Sequence, residues 1–333
     1  MRWFGKFLFF TGLVGLLLGA VVVLFFTAWK NQRLEVLAAG GTVVQTSLGQ
    51  VEYAETSGDG PVILVLHGGA GGYDQGLVLA RSLSAAGFRV IALSRPGYLQ
   101  TPLASGILPE QQADLAASFL EELQIPKAGL LAFGEAAPVG VEACLRHPDK
   151  FDRLALLSPV VLRTTAAPAE FPLPGEAILG HLTGDMGSWW LDLMARYRSL
   201  RSLRLFLETT TDLNSFECLK LAESVVEHSG QLEWFRDFVR SMSPLSPRES
   251  GTRNDIVQLQ ALPALNFQNI TQSVLLLTGA NDSIISGANA GAIRDIPGLR
   301  EEELTDAGFL LPGLGPSAST AEEILTEFFQ PQK

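Results

Sequence analysis

Cysteine and histidine are scarce in this chain, at two and four among 333 residues. Two thiols, Cys144 and Cys218, are too few for a disulfide framework, and nothing near them has the spacing of a metal-ligand cluster. No metal or other cofactor is expected. Cys144 falls on the apolar side of an expected helix, where a thiol packs as a small hydrophobe; the sequence leaves open whether it pairs with Cys218. Charged residues make up only 18% of the chain, and they are unbalanced, with a net charge of -11 and a pI near 4.9. Acidity of this kind keeps a domain soluble and disfavours nucleic acid and anionic lipid as partners. The 33 Gly and 18 Pro are scattered rather than clustered, which excludes a long disordered linker.

What the chain does have is a long apolar run. The 23 residues from Phe7 to Trp29 carry no charge. About 20 apolar residues, rising 1.5 Å each, cross a hydrocarbon core of roughly 30 Å. Arg2 and Lys6 precede the run, and Trp29, Lys30 and Arg33 end it, as the two interfaces favour. A cleaved signal peptide fits less well. The run exceeds the usual apolar region of ~7–15 residues, and the nearest small-residue site, Val36-Leu37-Ala38, lies beyond the charged stretch Lys30 to Glu35. The expected organisation is an uncleaved signal anchor with its flanks over 1–33, a flexible tether over 34–41, and one domain over 42–333. The expected partner of residues 7–29 is the lipid bilayer of the cell membrane. The basic residues give a weak bias for a cytoplasmic N-terminus and an extracytoplasmic domain.

Within the domain, Thr42 to Thr46 and Gln50 to Glu55 flank a turn and predict a hairpin. Pro61 to Leu66 is continuously apolar, as in a strand buried on both faces, and runs into His67-Gly68-Gly69-Ala70-Gly71-Gly72. Then come a helix over Gln75 to Ala86, a strand over Arg89 to Leu93, a helix over Gln111 to Leu123 and a strand over Ala128 to Ala132. A helix over Ala136 to Arg146 and a strand over Arg153 to Leu157 follow. This alternation predicts an α/β fold with a mostly parallel sheet. From about 160 to 265 the pattern turns helical, a cap over the strand ends, before a strand at Ser273 to Thr278 and a final helix at Ala321 to Phe329.

These residues resemble the α/β-hydrolase superfamily, and its proline-iminopeptidase-like branch in particular. The HGGAGG segment looks like the family's oxyanion loop, and Ser94-Arg95-Pro96-Gly97-Tyr98 like its R-P-G-Y turn. Arg146-His147-Pro148 with Phe151-Asp152-Arg153-Leu154 is similar to the passage into its next strand. Pro247-Arg248, Gly251 and Asp255 resemble the end of the cap, and Thr278-Gly279-Ala280-Asn281-Asp282 the turn that carries the acid. Each motif is weak alone, but five in order specify the α/β-hydrolase fold.

The resemblance implies a Ser-His-Asp triad in the chain order nucleophile, acid, histidine. The nucleophile elbow, G-x-S-x-G in the family, corresponds here to Ala132-Phe133-Gly134-Glu135-Ala136, so the nucleophile position is Gly134, which has nothing to attack with. The final loop, D-A-G-H in the family, reads Asp306-Ala307-Gly308-Phe309, and phenylalanine carries no proton. His67, His147, His181 and His228 are not placed to substitute. Asp282 alone remains of the triad. Gly68, Gly69, Ala70 and the N–H of Glu135 are the expected oxyanion or ligand-binding groups.

A shifted elbow with Glu135 as nucleophile would put Phe133 where a small residue is needed. The Glu135 side chain is instead expected as a solvated first-turn glutamate, favoured by the helix dipole. Trp189, Trp190 and Trp234 fit cap packing better than a pocket lining. Two functions follow as expectations. One is a non-catalytic ligand-binding or interaction protein, with a small apolar ligand under the cap. The alternative is a hydrolase of ester or amide bonds in which Asp282, Glu135 and a bound water replace the triad.

Overall fold

Eight strands form one sheet in the order β1-β2-β4-β3-β5-β6-β7-β8. In this computed structural model the described residues are 2–162, 184–284, 287–309 and 313–331. The expected beginning of the cap, with His181, lies outside them. The strands are β1 (Thr42–Thr46), β2 (Gly49–Glu55), β3 (Val62–Leu66), β4 (Arg89–Ser94), β5 (Ala128–Phe133), β6 (Phe151–Leu157), β7 (Ser273–Gly279) and β8 (Arg300–Leu304). Strands β1, β2 and β4 pair antiparallel, and every pairing from β4 through to β8 is parallel. The strands β3 and β5 to β7 are almost wholly buried, which is why they read as unbroken apolar runs.

Helices cover both faces: α2 (Tyr73–Leu79), α3 (Arg81–Ala85), α4 (Pro109–Glu122), α5 (Ala137–Arg146), α11 (Gly287–Ile293) and α12 (Ala318–Phe329). The cap contributes α6 (Gly184–Tyr197), α7 (Ser199–Thr210), α8 (Ser215–Glu227), α9 (Ser229–Arg240) and α10 (Glu249–Ala261). Local signals set their starts. Asn214 accepts from the N–H groups of Phe216 and Glu217 at 3.0 and 3.1 Å while its own N–H donates to Glu217, a capping box that opens α8. Pro109 opens α4, where the missing N–H costs nothing.

Three expectations are corrected. The single helix over Gln75 to Ala86 is two, broken at Ala80. β8, with sequence REEEL, was not expected at all; it is an edge strand with Glu301 and Glu303 exposed and Glu302 half-buried. The third concerns residues 34–41. They are not a flexible tether, because helix α1 runs without a break from Arg2 to Gly40.

The last turns of α1 are docked. Leu37 is buried and its carbonyl accepts from the Tyr73 hydroxyl at 2.8 Å. Arg33 donates to the carbonyls of Arg240 and Ser243, so the end of the helix is pinned to the cap as well as to α2. Further up, α1 is long and apolar enough to cross a membrane, and none of its most apolar window is buried in the protein. Its hydroxyls bond internally, Thr11 to the Phe7 carbonyl and Thr27 to that of Val23.

Candidate functional site

The sheet reverses its order at β3, which lies between β4 and β5, and ligands in such sheets bind outside the strand ends at this kind of point. Register brings the relevant turns together. Leu66 pairs with Ala132, so the loop after β3 and the turn after β5 emerge side by side. Gly279 pairs with Leu304, placing the Asp282 turn beside the segment that leads to Phe309. The Val160 N–H donates to the Gly134 carbonyl at 3.1 Å, and the Ser158 hydroxyl donates to that of Phe309 at 3.3 Å. Thus Gly134 lies beside the Phe309 ring, and the Asp282 turn lies beside the segment that leads to Phe309.

Gly134 has φ +56°, a value L side chains rarely adopt, in the turn from strand to helix. Glu135 next to it lies in an ordinary helical turn, so the special position is 134 and not 135. A Cβ built on Gly134 meets nothing nearer than the Phe309 ring, at 4.0 Å. That ring is 1% exposed and sits 4.7 Å from the ring of Phe133, which in turn makes an edge contact with Phe238 of α9. Phe206 and Trp234 continue the aromatic packing into the cap. Trp234 donates its indole N–H to the Val78 carbonyl at 3.0 Å, which joins cap to body. Trp189 packs on Phe26 of α1, while Trp190 is exposed.

The loop after β3 is fully engaged. Gly68 N–H donates to Gln75 Oε1 at 2.9 Å, Gly69 N–H to Glu135 Oε2 at 2.8 Å and Ala70 N–H to the Thr252 hydroxyl at 3.3 Å. The expectation of a solvated Glu135 is therefore wrong: the residue is 3% exposed, its carboxyl turned inward against the loop. The Gly69 N–H, donating to Oε2, holds the carboxyl inward against the pull of solvent on the short first turn. Burial nevertheless raises its carboxyl above the usual range, and Oε1 has no hydrogen-bond partner in the protein. Beside it lies a cavity of ≈ 10 Å³, lined in part by Arg95, Gln112 and Asp255, with room for one water.

Asp282 is buried, but its carboxylate accepts from the N–H of Ile284 at 2.9 Å, in its own turn. The cap holds this turn from above. Thr211 bridges to Asp282, Asp212 N–H donates to the Asn281 carbonyl and Ser283 N–H to that of Thr210. Glu135 and Asp282 are thus committed to different elements. The charged neighbours of Glu135 are Asp255 and Arg95.

Three of the family-like motifs, from the loop after β3, the turn after β4 and the end of the cap, converge on a polar brace next to this centre, while Arg146 and His147 pair with Asp114 instead. Arg95 reaches Asp255 with two bonds of 2.8 and 2.5 Å, and the Tyr98 hydroxyl donates to the same carboxylate. The Arg95 side chain also donates to the His67 carbonyl, and its backbone N–H to His67 Nε2. Burial, with Arg95 nearby, lowers the His67 pKa well below its ordinary value, so the ring is neutral; Nδ1 is 2.7 Å from the Gly68 carbonyl and carries the proton. Arg248 joins the Gly71 carbonyl at 2.6 Å to Asp74. Gly251 has no side chain to obstruct Tyr98, and its N–H donates to the Gly97 carbonyl at 2.9 Å. Sequence reasoning missed Gln75, Asp74 and Thr252. Only Asp74 carried a signal, as an acid in the first turn of α2.

Fold and site geometry together define a member of a known class. A profile of the alpha/beta hydrolase fold matches residues 61–316, and the chain belongs to that family. Among its relatives in Bacillus subtilis (strain 168), the uncharacterized hydrolase YcgS is 25% identical over 285 residues, 85% of this chain and 95% of that protein. The uncharacterized hydrolase YraK is 29% identical over 112 residues, which span 33% of this chain and 41% of that protein. The solved structure of an alpha/beta hydrolase fold protein from Nakamurella multipartita superposes with a TM-score of 0.79 at 27% identity, over 86% of this chain and 98% of that one. Both thiols are buried and free. Among the described residues no group of three or more His, Cys, Asp or Glu is placed to hold a metal.

Proposed function

We propose that this is a membrane-anchored, non-hydrolytic member of the family that works as an interaction protein. On this reading Gly134 stands at the nucleophile position, Phe309 at the histidine position and Asp282 at the acid position. One observation carries the proposal. The N–H groups of Gly68, Gly69 and Ala70, which would stabilise an oxyanion, already have acceptors inside the protein, and one of these is the carboxyl of Glu135. A carboxylate in that place would repel the negative charge of a tetrahedral intermediate. The Phe133, Phe309 and Phe238 rings take up space that an acyl group would need, which supports a protein partner over a small ligand under the cap.

The test uses the full chain in detergent with short acyl esters and aminoacyl amides. Turnover is expected to equal that of a Gly134→Ala control. Gly134→Ser with Phe309→His is expected to stay at background, because Glu135 still occupies the loop. Adding Glu135→Met to that pair should free the Gly69 N–H and produce measurable ester cleavage. Turnover by the unaltered chain that Gly134→Ala leaves intact, but Glu135→Gln and Asp282→Asn each abolish, would replace this reading with the water-based hydrolase.

A further inference from the structure

One face of α6 is apolar and open. Met186, Trp190 and Tyr197 are 42%, 54% and 75% exposed, and the partly exposed Leu193 lies between the last two. Spacings of four, three and four residues put them on a single stripe of the helix. The other face turns Ser188, Asp192 and Ala195 into the protein. Isolated apolar residues on a surface are ordinary, but a stripe with a tryptophan at its centre marks a contact.

Its position identifies the partner. α6 crosses α1 at residues 26–30: the Trp189 ring is 5.8 Å from Phe26, Trp29 donates to Asp192 at 2.9 Å and Lys30 lies 2.6 Å from Asp185. Those positions span ~6 Å of helix axis. There the charge-free run ends and Lys30 and Arg33 begin, so a bilayer crossed by α1 has its headgroup layer at this level. An interfacial helix buries its apolar face ~5–10 Å into the boundary between headgroups and acyl chains, with Trp and Tyr favoured there. Arg198 and Arg201, both exposed, follow directly and suit the headgroup side.

We propose that α6 is a second membrane contact, lying in the interface with Met186, Trp190, Leu193 and Tyr197 against phospholipid. The inference rests on α1 crossing the bilayer. It holds the cap, and with it the helices over the candidate site, against the membrane surface.

The experiment takes the full chain in phosphatidylcholine vesicles, with an environment-sensitive fluorophore on a single introduced cysteine. Cys144 and Cys218 are buried and do not compete for label. Trp190→Cys and Met186→Cys are expected to lose more than half their emission to lipids carrying a shallow spin label. Lys127→Cys, at the start of β5 and so at the sheet end away from the cap, should lose none and be quenched by aqueous iodide instead. Val22→Cys in α1 reports insertion in parallel. Quenching by lipid at 22 but not at 186 and 190 overturns the α6 contact and leaves the anchor standing; no quenching at 22 overturns the anchor itself. Protection at 186 and 190 from both lipid and iodide means that another copy or segment covers the stripe, and it also overturns the proposal. Tyr197→Cys repeats the measurement if either substitution impairs folding.

Discussion

Two neighbouring regions above the sheet have opposite characters. The brace built from His67, Arg95, Tyr98, Asp255, Arg248 and the half-buried Asp74 is polar and otherwise buried, and its charges face one another. The centre a few residues away, around Gly134 and Phe309, is packed with aromatic rings and holds a carboxyl oxygen with no partner. Burying ions is costly unless each is paired with good geometry, so the brace is constrained as a set and a change at one member strands the others. Aromatic packing tolerates substitutions of similar volume far better. On the proposed reading, the difference explains how a hydrolase-like sequence would keep its recognisable motifs without the family's chemistry. The motifs in the brace join the loop after β3, the turn after β4 and the end of the cap, and this work does not depend on catalysis.

The sharpest way to break that comparison is Asp255→Ala. It leaves the Arg95 guanidinium and the Tyr98 hydroxyl buried without their acceptor, and a loss of about 3–5 kcal/mol is expected in denaturant unfolding. Phe309→Leu in the centre should cost only about 1 kcal/mol. Equal losses would mean that the two regions are not mechanically distinct. Gly134→Ala comes next, at about 1–2 kcal/mol, the strain of a Cβ at positive φ, since the space beside it is open. A loss well above that would point to crowding by Phe309.

The smallest effect is a pH dependence at Glu135. Its folded pKa is raised, so the unfolded chain gives up this proton first as pH increases. Stability from this group is complete below the ordinary carboxylate pKa and is lost as pH rises through the folded value. Glu135→Gln should therefore raise the melting temperature slightly at neutral pH and lose that advantage in acid. An advantage independent of pH would show that the carboxyl has the same pKa in the folded and the unfolded chain.

Much of this was legible in the sequence. Ordered motifs and apolar strands specify the fold, and strand register sets the Asp282 turn beside the segment that leads to Phe309. β8 escaped because three consecutive glutamates on an edge strand leave no hydrophobic period to detect, and backbone pairing with β7 makes the strand. Residues 34–41 misled because Gly40-Gly41 looks like a hinge. What holds that segment straight is tertiary, namely Leu37 packing and the bonds from Tyr73 and Arg33. Glu135 was placed on the wrong side of its turn. Residue type does not fix the direction of a side chain, and the Gly69 N–H that draws it inward belongs to the backbone.

The unbroken course of α1 has a mechanical consequence. A helix of 39 residues, about 58 Å long, docked at its far end, behaves as a lever with no joint between bilayer and domain. Where α1 crosses a bilayer as proposed, a tilt of its apolar part to match a thicker or thinner membrane would turn the domain through the same angle. Bilayer thickness would then be a coordinate that sets which surface of the domain faces its surroundings.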